Sequence, residues 1–272
     1  MHTVIFQARI FRQSSRLLLK FIATVLLMLA SNAQLVMANP TKLTYSYSAT
    51  LSPDDKAAKN FLKNSQGLAD VKALVNREFT LTKKIDVQFG AEDGPLFAPD
   101  LNVIMMPYWF VDEVKARFNN AKYQETGVTI MQATEDAMMH TVLHELAHAL
   151  IYQYQIPVLG KEEDAADSLA NVLLIEFFEN GQEIVLSAAD LFDLESTDRN
   201  TLTDEDFWDE HSLDEQRYYT ALCHVYGSAP DKYQQLVQQQ YISSERAEYC
   251  IEDYAVQADS WLTLLAPYLS DE

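Results

Sequence analysis

The sequence predicts an α+β fold: a small sheet with a few helices in the first half, and an almost wholly helical second half. Three observations predict it. Short alternating strand patterns such as Ile85-Asp86-Val87-Gln88-Phe89 occur only before residue 110. From about Ala133 onward, apolar residues recur at three- and four-residue spacings between helix-type start and stop signals. Residues 39–272 carry no convincing linker, and 48% hydrophobic content over the full chain is enough to bury one core.

The N-terminus is basic and then apolar. Arg9, Arg12, Arg16 and Lys20 precede the compact apolar run Phe21 to Ala30, and small residues follow. This order predicts a secretory signal peptide over residues 1–38, cleaved after Ala33 or Ala38. The product would be exported, periplasmic or secreted, with no stable membrane association after cleavage. One domain of two lobes is expected over residues 39–272, an α/β lobe to about residue 157 and a helical lobe over 158–272. Losing the four basic residues shifts the net charge from −20 to −24. So acidic a chain is repelled by nucleic acid and by anionic lipid, which excludes both as partners. The sequence sets no oligomeric state.

Leu43 to Ala49 reads as a first strand, and residues 54–79 as a helix weakened at Gly67. Ile85–Phe89 and Asn102–Tyr108 read as two further strands, separated by turns at Gly94-Pro95 and Ala98-Pro99, with a helix over 110–119. Next comes an amphipathic helix from about Ala133 to Gln155, with Thr134 as N-cap, Glu135 and Asp136 in the first turn, and Pro157 beyond its end. Further helices are expected at Glu162 to Glu179, Ser187 to Leu194, after the capping box Ser212-Leu213-Asp214-Glu215 as far as Gly227, and at 231–241, 244–250 and 253–267.

The helix before Pro157 contains His144-Glu145-Leu146-Ala147-His148, the H-E-x-x-H arrangement. Positions four apart share a helix face about 6 Å apart along the axis, so both imidazoles can reach one zinc ion. Glu145 then stands beside the metal, where a carboxylate can take a proton from a water that the metal activates. A third ligand is needed, and Glu162-Glu163-Asp164-Ala165-Ala166-Asp167 supplies carboxylates at once. Among the competing registers, Glu163 with Asp167 puts two carboxylates on one face, one free to bind metal and one to hold a histidine ring. Glu162 would pair with Ala166 and Asp164 with Ser168, so Glu163 is preferred. His140, one turn before His144, reads as a flanking helix residue.

These residues resemble the gluzincin branch of the zincins, in which H-E-x-x-H lies on one helix and a Glu from the next completes the zinc site. The resemblance implies a zincin-like fold, one Zn2+ per chain held by His144, His148 and Glu163, Glu145 as general base, and Asp167 supporting His144. It also implies a substrate-binding sheet edge formed by the strand before the active-site helix, here Asn102–Met106. A wider resemblance, carried by HELAHAL, EEDAAD and FWDEHSLDEQRYY…C…YG, is to a bacterial family of secreted metallopeptidases of undefined substrate. The function this implies is zinc-dependent hydrolysis of peptide bonds in peptide or protein substrates. Such a site needs a donor facing the developing oxyanion, for which His211, then Tyr218, are the candidates.

Cys223 and Cys250 are the only cysteines, and an exported chain with two of them predicts a disulfide. The alternative class is a non-catalytic zinc-binding periplasmic protein. Glu145 argues against it, because a structural site needs no base between its ligands and prefers four protein ligands.

Overall fold

The strand over Ile85–Phe89 alternates buried and half-buried side chains, as its sequence pattern requires. Ile85, Val87 and Phe89 are fully buried, each contributing roughly 1.5–3 kcal/mol of apolar burial. A computed structural model describes residues 42–270 of the chain. The signal peptide expected over residues 1–38 lies outside them. The strands are β1 (Leu43–Tyr47), β2 (Ile85–Phe89), β3 (Leu96–Ala98) and β4 (Val103–Met106), in the sheet order β1-β2-β4-β3. β1, β2 and β4 run parallel, and β3 pairs antiparallel with β4.

This order corrects the expected substrate edge. The strand at Asn102–Met106 is interior; the edges are β1 and, beside β4, β3, a three-residue strand that reads in the sequence as a turn. Pro95 and Pro99 bracket it, and proline's missing donor is tolerated at a sheet edge. Asn102 is left-handed (φ 55°), so β4 begins at Val103.

Helices α1 (Pro53–Asn64) and α2 (Gln66–Glu78) replace the single expected helix. The break falls at Ser65, whose hydroxyl caps α2 through Leu68 N and donates to Glu135 Oε1 at 2.5 Å. Gly67 serves a different purpose: a Cβ there would lie 2.2 Å from Met139 Sδ, so glycine permits close helix packing. α3 covers Tyr108–Asn120.

The central helix α4 spans Ile130–Tyr154. Its N-cap is Thr129, which accepts from Gln132 N. Thr134 lies inside the helix, fully buried, its hydroxyl donating to Ile130 O. The expected amphipathic stripe is also absent, since the run Val142 to Ala147 is buried all round. The helix is enclosed by β3, β4, α2 and α3 and by α5 (Glu162–Phe177) and α6 (Gly181–Ser196). Gln155 ends it in the left-handed region, and Pro157 follows.

α6 begins six residues earlier than Ser187, and a short helix α7 (Asp204–Trp208) occupies a stretch with no clear helical pattern. α8 (Asp214–Ser228), α9 (Gln235–Gln238) and α10 (Ser244–Leu265) complete the helices, α10 running unbroken through Ile251-Glu252. A disulfide joins Cys223 of α8 to Cys250 of α10. Closing a loop of this length stabilises by about 3.5 kcal/mol on the chain-entropy model. Reducing it, or the Cys223→Ala/Cys250→Ala pair, should lower stability by about that amount in urea titrations. No helix among the described residues is long and apolar enough to cross a membrane.

Candidate metal centre

Burial of the run Val142 to Ala147 on all sides fixes His144 and Glu145, with His148 at its margin. His144 and Glu145 are 5% and 6% exposed, and the His148 side chain 13%. The chain then reverses through Ile156 to Lys161 and enters α5, whose first turn holds Glu162, Glu163 and Asp164. Acidic residues suit a helix N-terminus. This close reversal brings Glu163 back over the histidines.

Four donor atoms converge. Glu163 Oε2 lies 3.1 Å from His144 Nε2, 3.2 Å from His148 Nε2 and 2.9 Å from His211 Nε2. The two Nε2 atoms of His144 and His148 are 3.3 Å apart. Each of these rings is fixed from behind: Nδ1 of His144 bonds Asp167 Oδ1 at 2.7 Å, and Nδ1 of His148 bonds Glu162 Oε1 at 2.8 Å. With Nδ1–H donated outward, both Nε2 lone pairs face the common point, the tautomer that metal-ligating histidines adopt. Arg217 in turn grips Asp167, Nε to Oδ2 at 2.7 Å and Nη2 to Oδ1 at 2.9 Å. Two imidazole nitrogens and a carboxylate oxygen, pre-oriented by outer carboxylates, fit a metal ion.

The titration behaviour follows from this crowding. Burial disfavours a charged His144, but hydrogen bonds to Asp167 and Glu163 override it and push its pKa up to about 9. His148 is raised for the same reason, by Glu163 and Glu162 against burial. Burial would raise Glu163, yet its imidazole partners hold it far below the usual carboxylate range. Asp167 is likewise held low against burial by Arg217 and His144. Glu145 behaves oppositely, since burial pushes its carboxyl up and the neighbouring imidazoles only moderate the rise. The carboxylates of the centre thus favour positive charge on its imidazoles.

A family model described as putative metallopeptidase matches residues 47–265. The chain belongs to that family. No curated protein and no solved structure matches the chain. Membership points to peptide or protein substrates and to a metal-dependent reaction, and the cluster of His144, Glu163 and His211 supplies a site where a metal can sit. His148 Nε2 belongs to the same cluster by its distances.

Beside the cluster a cavity of about 330 Å³ opens between the edge strand and α5, lined by Leu96, Phe97, Glu145, His148, Glu163 and His211 among others. His211 stands half-exposed at its rim, 49% by side chain. The segment before α8 is tied down there, with Lys161 Nζ bonding the carbonyls of Asp209 and His211 at 3.0 and 2.9 Å.

Tyr218 is not brought to the centre. It is buried, its ring 5.0 Å from that of Tyr219, and it does not line this cavity. His140 also stays out, bonding Asn171 Oδ1 at 3.1 Å, with burial lowering its pKa to about 4. Two contributors carried little signal in the sequence. Glu162 stands in the sequence only as a rival of Glu163, and Arg217 only beside His211, Tyr218 and Tyr219 as a residue for the oxyanion, with no pattern that ties it to Asp167.

Proposed function

We propose that this chain is a zinc-dependent peptidase of gluzincin type with a zincin-like catalytic domain over residues 39–272, exported by a cleaved signal peptide. The carrying observation is the triangle of His144 Nε2, His148 Nε2 and Glu163 Oε2, with sides of 3.3, 3.1 and 3.2 Å and Glu145 alongside. Ligands about 2.0–2.1 Å from zinc at tetrahedral angles lie roughly 3.3 Å apart, which supports zinc and leaves a fourth position open. The disulfide supports an oxidising, exported setting.

When bound, zinc would polarise the scissile carbonyl and make an attacking water more acidic. Glu145 accepts that water's proton and returns it to the leaving amine. Its desolvated setting, which raises its pKa, strengthens it as a base. His211 Nε2–H, at the cleft rim, donates to the oxyanion. Asp167 and Arg217 keep His144 oriented, and Glu162 does so for His148. The outer edge of β3 borders the cleft, so an extended substrate would pair with Leu96–Ala98 as an added strand.

The test is metal analysis of the purified mature chain followed by digestion of a diverse peptide library. About one zinc per chain, with cleavage abolished by chelator and restored by zinc, is expected. Stoichiometric zinc with no cleavage of any library member would overturn the peptidase reading.

A further inference from the structure

A second cavity, about 210 Å³, adjoins the first and shares Pro95, Glu145 and His211 with it. Phe110, Leu191 and Phe192 supply apolar wall. Its polar groups are nearly all engaged. Arg217 is committed to Asp167 and stacks 3.9 Å above the Phe192 ring. His140 is bonded to Asn171 and neutral, since burial takes its pKa to about 4. The Thr141 hydroxyl donates to Ala137 O.

Outside the metal centre, Glu195 is the exception. Its carboxylate lines the cavity, a quarter exposed, with no hydrogen bond from any described residue. The nearest cation, Arg117 Nε, is 4.0 Å away, beyond hydrogen-bond reach, while the Arg117 guanidinium is held by Glu113 at 2.9 Å and Asp198 at 2.7 Å. The position is also costly, because Glu195 sits in the last turn of α6, against the negative end of the helix. Burial and nearby Asp214 raise its pKa to about 7. A carboxylate that makes no hydrogen bond and only a 4.0 Å ion pair with Arg117, beside the apolar wall of the pocket, suits an incoming cation on an aliphatic stem.

We propose that this cavity is a side-chain subsite for a basic residue of the substrate, lysine above all, with Glu195 as the specificity-determining group. The stem packs between Phe110, Leu191 and Phe192 while the ammonium meets Glu195. The placement beside the centre rests on the peptidase reading above. The first cavity points the same way, since Glu162 and Glu210 line it and no Lys or Arg does.

The test is binding, so that it stands apart from turnover. Blocked alanine peptides with a single central lysine or norleucine can slide in register, so the one long side chain seeks the pocket. Their affinities are measured by calorimetry on zinc-loaded Glu145→Gln protein. The lysine peptide should bind about tenfold tighter, the size of one charge-assisted hydrogen bond. Adding Glu195→Gln should bring the two peptides level, Glu195→Lys should favour a glutamate peptide over the lysine one, and Glu210→Gln should leave the lysine preference in place. Equal binding of lysine and norleucine peptides, binding of neither, or a preference that survives Glu195→Gln would overturn the proposal. Lysine preference without cleavage of any peptide by the unsubstituted chain would support the subsite and overturn the peptidase reading; cleavage without that preference would do the reverse.

Discussion

Glu145→Gln is expected to leave about one metal ion per chain bound while lowering kcat by about 10³-fold or more, near the upper range for loss of a general acid–base. Glutamine has the same shape, so the enclosed site at position 145, 6% exposed, is filled without a cavity. The substitution removes no donor from the triangle of His144, His148 and Glu163. Only the ability to take up a proton is lost. Glu145→Asp keeps the acid but shortens its reach, and it should retain a measurable fraction of the rate. The check is steady-state kcat beside elemental analysis of the same samples. Wild-type turnover in Glu145→Gln would remove Glu145 as base and require the water to be activated by another group.

How much of this was legible in the sequence depends on the range of the interaction concerned. The strands β1, β2 and β4 and the helix carrying His144 to His148 follow from periodicity within short windows. The Cys223–Cys250 pair follows from cysteine count and setting. Local competition misled at helix starts: Thr134 with two acids behind it looks like a cap, but Thr129 follows the left-handed Gly127 (φ 97°) closely enough to start the helix sooner. β3 was hidden because three residues between prolines carry no period, and its strand character comes wholly from pairing with β4. α4 looked amphipathic because polar His140, His144 and Glu145 interrupt its apolar pattern. In the fold those residues are buried too, their polar atoms answered by partners from α5 in the cases of His140 and His144. Glu195 was silent for a related reason. A lone acid near a helix end reads as solvated surface until α6 is packed against α4 and the carboxylate faces a cavity.

The register of the third ligand separates adjacent glutamates by the size of their effects on metal binding. Glu163→Ala removes the oxygen common to His144 and His148, so zinc content should fall below stoichiometry after dialysis. Glu162→Ala removes only the acceptor behind His148 Nδ1, 51% exposed by side chain. Loss of such an outer partner weakens metal by about 10–100-fold, which leaves a tight site occupied. Competition with a chromophoric chelator measures both constants. His211→Ala provides the third arm, since His211 Nε2 also touches Glu163 Oε2 at 2.9 Å yet is half-exposed on a segment outside the helices. As an oxyanion donor it should cost turnover and spare affinity. Zinc lost with His211→Ala but kept with Glu163→Ala would exchange their roles. Zinc lost only with Glu162→Ala would move the ligand register by one residue and return Glu163 to an outer position.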